Sequence, residues 1–154
     1  VTGKSVKNPS NFLVRIGTSS MALIEAVGGL PENISNIING GPMMGKSVSI
    51  SEFPVIKGTS GILMMTDKEA QPRQMGNCLR CGKCINACPM GLEPFLLCRM
   101  SKNNMFEDTE TNNIMDCIEC GSCEFTCLAN IPLLDYIRYG KNKTGQIIRS
   151  RNQK

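Results

Sequence analysis

Apolar residues change their spacing several times along the chain. In NFLVRIG, Asn11–Gly17, they follow the turn-like NPS of Asn8–Ser10 and stop at a glycine, which predicts a short strand. In SSMALIEAVGGL, Ser19 or Ser20 is placed to cap a two-turn helix, and Gly28 with Gly29 is placed to end it. NIING, VSI and GILMM then read as short strands separated by glycine and proline. The order predicts a small mixed sheet with one helix laid on it. Farther on, Leu92, Phe95, Leu96, Arg99 and Met100 recur at helical spacing, and Leu133, Leu134 and Ile137 do so behind Pro132. Both stretches predict amphipathic helices.

Between the strand patterns lies GGPMMGKS, Gly40–Ser47, which fits the phosphate-loop pattern G-x-x-x-x-G-K-[ST]. A working phosphate loop must open directly into a helix, whose N-terminal amides and dipole hold the anion. Here Val48 and Ile50 alternate with Ser47, Ser49 and Ser51, which is strand spacing, and Pro54 excludes a long helix. Pro42 has no N–H to offer a phosphate. The stretch is therefore read as a glycine turn between two strands, and no nucleotide is expected there.

At 154 residues the chain has room for one medium domain or two small ones. No run approaches the roughly 18 consecutive apolar residues of a membrane-spanning helix, and no signal peptide is expected at the start. The chain begins without methionine, as a processed product or an excised fragment would. Five Phe, two Tyr and no Trp, with a net charge of only +4, argue against a nucleic-acid surface built on base stacking.

The nine cysteines alter the picture most, because there is no histidine beside them. All nine lie beyond residue 77, so the chain divides in the polar stretch Thr66–Asn77, and two domains are expected: 1–68 and 69–140, with a basic tail over 141–154. An odd, clustered cysteine count does not suit a secreted disulfide framework and points to an intracellular protein with thiolate metal sites. CLRCGKCINACP, Cys78–Pro89, and CIECGSCEFTCL, Cys117–Leu128, both read C-x2-C-x2-C-x3-C and form an internal repeat. Three thiolates at these short gaps converge on one compact cluster, and in two-cluster proteins the fourth cysteine of each run ligates the other run's cluster. The expected ligand sets are Cys78, Cys81, Cys84 and Cys127 for one [4Fe–4S] cluster, and Cys88, Cys117, Cys120 and Cys123 for the second. Gly82 and Gly121 are expected to let backbone amides approach the sulfides. A zinc-stabilised interaction module is the competing reading, but two pairs of cysteines would suffice for zinc and the rest would be surplus.

Cys98, in the middle of a helix pattern, is expected to be a small buried apolar residue. Met43, Met44, Met64 and Met65 are expected to fill the core. The tail, with Arg138, Lys141, Lys143, Arg149, Arg151 and Lys154 and no acid among them, is expected to be a solvated, fraying end.

VTGKSVKNPSNFLVRIGTS, INGGPMMG and FPVIKGTSGILMM, followed by CLRCGKCINACPMGLEP and DCIECGSCEFTCLANIPLLDYIR, together resemble the C-terminal half of the C subunit of the Rnf (Rsx) electron-transport complex. The resemblance covers nearly the whole chain. It implies an α+β protein with a small soluble-ligand-binding β-grasp (SLBB) domain followed by an α-helical dicluster [4Fe–4S] ferredoxin domain. It further implies an electron relay with no catalytic residue of its own, peripheral on the cytoplasmic side of the cell membrane, in a complex that exchanges electrons between ferredoxin and NAD and translocates ions. The implied partners are the other Rnf subunits and ferredoxin or another small redox protein. Flavin and NAD are expected only on a region upstream of this chain, so NADH oxidation by this part alone is not expected. A component of a related cobalamin reductase is the alternative. Leu128 departs from the family, which usually has proline there as Pro89 does after Cys88, and this bears on the shielding of the second cluster.

Overall fold

The computed structural model describes residues 1–71 and 73–153, so Pro72 and the tail's Lys154 lie outside the described residues. The chain forms two compact units, Val1–Pro72 and Arg73–Lys154. Among the described residues sheet is confined to the first and most helix to the second, an α+β architecture as expected.

In the first unit, helix α1, Ser20–Ala26, starts where Ser19 caps it: the Ser19 hydroxyl accepts the Met21 N–H at 3.2 Å. It ends before Gly28 and Gly29, whose φ of +107° and +81° are left-handed values that glycine adopts without a Cβ clash. Strands β1 (Ile34–Asn39), β2 (Lys46–Val48) and β3 (Ile62–Thr66) pair antiparallel in the order β2-β1-β3. Ile37 lies between Val48 and Met64 in register. The core joins Leu23, Ile24 and Val27 of the helical segment to Ile37, Ile62 and Met64 of the sheet, with Val6. Ile24 and Val27 are completely buried, and each such side chain contributes about 1.5–3 kcal/mol.

Three expectations for this unit are corrected. The sheet is antiparallel rather than mixed; the one parallel element among the described residues is the isolated bridge from Thr2 to Leu63. Asn11–Gly17 is not a strand. Thr2 takes the free edge of β3, through Thr2 N–H to the Ile62 carbonyl at 2.9 Å and Met64 N–H to the Thr2 carbonyl at 2.8 Å, and leaves no ladder for a further strand there. Leu13 is consequently fully exposed and Ile16 largely so. Met64 does fill the core, but Met43 and Met44 are exposed in the turn between β1 and β2.

That turn is the GGPMMGKS stretch. The Gly45 N–H bonds the Gly41 carbonyl at 2.8 Å, and a Cβ on Gly40, where φ is +114°, would lie 2.9 Å from the Gly45 Cα. Lys46 opens β2 and not a helix, so the geometry is that of a tight glycine turn. Helix α2, Asp67–Ala70, falls inside the stretch read as linker and is fixed by a Thr66–Glu69 capping box.

The second unit contains α3 (Lys83–Asn86), α4 (Pro94–Lys102), α5 (Phe106–Thr111), a 3-10 turn (Ile114–Asp116), α6 (Ser122–Phe125) and α7 (Leu133–Asn152). The buried stripe of α4 is Pro94, Leu97, Cys98 and Ser101, two positions on from the stripe expected and so nearly on the opposite side of the helix. Phe95, Arg99 and Met100 are not core residues, because the close approach of α7 selects the small residues Cys98 and Ser101 instead. Nor does the tail fray: α7 continues to Asn152, with Thr144 fully buried and Arg151 3.8 Å and 2.7 Å from Glu107 and Glu110 of α5.

Candidate metal centre

The two cysteine runs fold alike because their backbones bend at matching positions. Arg80 and Glu119 have φ of +51° and +56°, Gly82 and Gly121 +73° and +79°, and Gly91 and Asn130 +66° and +50°. Each pair is 39 positions apart in the chain. The two glycines are the left-handed N-caps of α3 and α6, so each run is a turn followed by a short helix that carries the third cysteine. The fourth comes one turn later, where the Cys88 N–H bonds the Ile85 carbonyl and the Cys127 N–H bonds the Glu124 carbonyl, both at 3.0 Å. Left-handed geometry at Arg80 and Glu119 costs each about 1–2 kcal/mol, and it occurs where the loop must turn three thiols to one side.

The structure brings the cysteines together in two sets. A cavity of about 440 Å³ is lined by Cys78, Cys81, Cys84 and Cys127. A tighter one, of about 20 Å³, is lined by Cys88, Cys117, Cys120 and Cys123. Each set takes three cysteines from one run and the fourth from the other. None of the nine cysteines is paired in a disulfide. Cys98 lines neither cavity; it is buried on α4, and burial pushes its thiol up to about 11.

The surroundings differ. The first cavity is bordered by Leu79, Arg80, Lys83, Phe95, Arg99 and Leu128. The second is closed by apolar side chains, among them Leu92, Leu97, Leu134 and Ile137. Burial raises the thiols of Cys84 and Cys117 and pushes that of Cys123 up to about 12, whereas the Ser122 hydroxyl lowers that of Cys120. A lone thiolate is thus costly at the buried positions and needs a cation beside it. Backbone amides are already aimed at sulfur: Glu119 N–H to Cys117 Sγ and Ile131 N–H to Cys127 Sγ, both at 3.4 Å. Gly82 and Gly121 act through their backbone conformation, and the amide contacts to sulfur come from these other residues.

Two features are visible only in the fold. Arg138 and Lys141 of α7 hold Glu119 at 3.1 Å and 3.5 Å, and Lys141 Nζ donates to the Cys117 carbonyl at 2.5 Å, so part of the supposed tail braces the second run. The gathering of three cations at the first cavity is the other, although the 39-residue offset already sets Arg80 opposite Glu119.

The donor set is eight soft thiols without histidine, disposed around cavities. Among the described residues no three His, Cys, Asp or Glu side chains are gathered to hold a single metal ion. This arrangement suits a polynuclear iron–sulfur centre, whose irons take thiolates at separated corners. Comparison with known families agrees: residues 1–47 match the SLBB domain and residues 70–128 the 4Fe-4S dicluster domain. The chain is 42% identical over 142 residues to the C subunit of the Na(+)-translocating ferredoxin:NAD(+) oxidoreductase complex of Acetobacterium woodii, covering 92% of this chain and 32% of that one. It is 42% identical over 144 residues to the proton-translocating counterpart of Clostridium ljungdahlii, covering 93% and 32%. To the C subunit of the ion-translocating oxidoreductase complex of Rhodobacter capsulatus it is 36% identical over 146 residues, covering 95% and 28%. The chain is homologous to part of the Rnf C subunit. This Rnf homologue spans about a third of the length of the curated relatives it matches. Its second unit carries the dicluster domain, and the matched span contains all eight paired-run cysteines.

Proposed function

We propose that this Rnf homologue is the electron-relay portion of a membrane-associated, ion-translocating ferredoxin:NAD oxidoreductase complex. The observation that carries the reading is the crossed arrangement, in which each cavity has three cysteines of one run and the fourth of the other. Cys78, Cys81, Cys84 and Cys127 would hold one [4Fe–4S] cluster, and Cys88, Cys117, Cys120 and Cys123 the other. Bound clusters supply one-electron transfer at potentials set by charge, hydrogen bonds to sulfur and exposure. The protein's own part is to fix the thiolates, donate amide hydrogen bonds to them and exclude water from the second cavity. The other proteins of the complex are its partners in this reading, on the cytoplasmic face of the membrane. Among the described residues no helix is long and apolar enough to cross a bilayer. Flavin and NAD chemistry belongs, in this proposal, to regions of the full-length protein beyond this chain.

The test is a spectroelectrochemical titration of the anaerobically reconstituted chain over roughly −700 to +450 mV, the span of iron–sulfur potentials. Two reductions of one electron each are expected, with no oxidation of added NADH. Iron-loaded protein that accepts no electron in that range would end the relay reading.

A further inference from the structure

The internal repeat gives each cysteine site a counterpart against which it can be compared, and the two are not equivalent. At the second site Cys123 is buried and Cys88, Cys117 and Cys120 are half-buried. At the first, Cys78 and Cys81 are exposed. Where the second run has Glu119 and Ser122, the first has Arg80 and Lys83, and Arg99 of α4 completes a group of three cations at the cavity. All three are exposed. Arg138, the counterpart of Arg99 in the repeat, is instead paired with Glu119. Among the described residues none of the three first-site cations forms a salt bridge, and no acid lines the cavity. Beside them Leu79 and Leu128 stand 66% and 57% exposed, which makes an apolar contact bordered by positive charge directly over the more accessible thiols.

We propose that this face, formed by Leu79, Arg80, Lys83, Arg99 and Leu128, is the docking surface for an acidic electron-carrier protein, and that the first cysteine site is where electrons pass between the chain and that partner. The inference rests on the relay reading and adds to it which of the two sites meets the carrier. In the transfer the carrier loses one electron and the site gains it, with no bond made or broken. Charge complementarity selects the partner: a cluster of unpaired cations steers an acidic surface and orients it. The two leucines supply a dry contact that shortens the distance between centres. The second site has exposed apolar residues of its own, Ile118 and Met90, but it lacks the unpaired cations, since Arg138 and Lys141 are already engaged with Glu119. Leu128 has a role in this arrangement, because it occupies the position after the fourth cysteine, where the first run has Pro89, and lies on the docking face.

The test uses the full reconstituted chain and an oxidised acidic bacterial [4Fe–4S] ferredoxin as probe, with binding followed by calorimetry at low and high salt. The variant Arg80→Asn/Lys83→Gln/Arg99→Gln keeps a residue that tolerates left-handed φ at position 80. It should bind about tenfold more weakly at low ionic strength and converge with the parent at high salt. A control of equal charge loss, Lys57→Gln/Lys143→Gln/Arg149→Gln, should stay within about twofold. Equal weakening in both variants, or no change in the first, would overturn the proposal. So would failure of the parent to bind the ferredoxin while it binds anionic phospholipid vesicles through the same three cations. Reduction by a photoexcited uncharged deazaflavin should proceed alike in all three proteins. If the iron-loaded parent resists even that reductant, the relay reading has failed rather than the choice of docking face.

Discussion

Gly140 of α7 lies so close to Ser101 of α4 that a Cβ on the glycine would come within 2.8 Å of the serine Cβ and closer still to its hydroxyl. Ile114 Cδ1 would be 3.0 Å away on another side. Helices α4 and α7 approach along this contact, which sets Leu97 and Cys98 against Leu133 and Ile137 in one core beside the cysteines.

Gly140→Ala should therefore destabilise the second unit by about 1–3 kcal/mol through overpacking, less the several tenths gained from helix propensity. Ser101→Ala should cost nothing or stabilise slightly, because the Ser101 hydroxyl is the one buried side-chain polar atom without a partner among the described residues. Urea midpoints of the reconstituted variants under anaerobic conditions would check both. Equal loss in the two would show that the contact is not governed by crowding.

Deletion of residues 141–154 should weaken the second unit rather than trim an idle tail. It removes Thr144, whose buried hydroxyl lies 2.7 Å from that of Thr109, and Lys141, which braces Glu119 and the Cys117 carbonyl. Faster loss of cluster absorbance in air is the expected result. Unchanged kinetics would mean that the end of α7 is dispensable.

Glu69 gives the first unit an acid-sensitive point. The Thr66 backbone N–H, the Lys4 ammonium and the Thr66 hydroxyl hold its carboxyl below the usual value of 4.5. A depressed carboxylate stabilises the fold above its unfolded pKa, and that contribution is lost as pH falls through the folded value. Glu69→Gln should remove this dependence below pH 4.5, with no difference in slope above it. Carboxyl chemical shifts in an NMR titration would place the midpoint; a midpoint at or above 4.5 would contradict the capping-box account.

Local signals were legible in the sequence where they are chemically explicit. Ser19, Gly28 and Gly29 marked both ends of α1, Lys46 opens a strand and not a helix although that strand stops at Val48 and leaves Ile50 exposed, and Leu133, Leu134 and Ile137 gave the buried face of α7. What was not legible depended on tertiary partners. Asn11–Gly17 has strand-forming residues, but Thr2 occupies the edge they would need. The face of α4 is decided by Gly140, on a helix far away in sequence. The tail looked unpaired because its acidic partners, Glu107, Glu110 and Glu119, lie on other elements. At the site the eight cysteines were evident from spacing alone, whereas the cations around the first cavity required the fold.

Cys98→Ala should keep the full iron content, since this thiol lines neither cavity, and should cost roughly 1 kcal/mol for the small void left behind. Loss of iron on this substitution would make Cys98 a ligand and break the octet assignment.

Crossed ligation is tested most directly by iron and acid-labile sulfide per chain, combined with paramagnetic resonance of the reduced protein, in the parent, Cys88→Ser and Cys127→Ser. The account predicts about eight irons in the parent and about four retained in each variant, with the two variants losing different signals. Cys88→Ser should lose the centre held with Cys117, Cys120 and Cys123, and Cys127→Ser the one held with Cys78, Cys81 and Cys84. About four irons in the parent, or loss of the same signal in both variants, would contradict it.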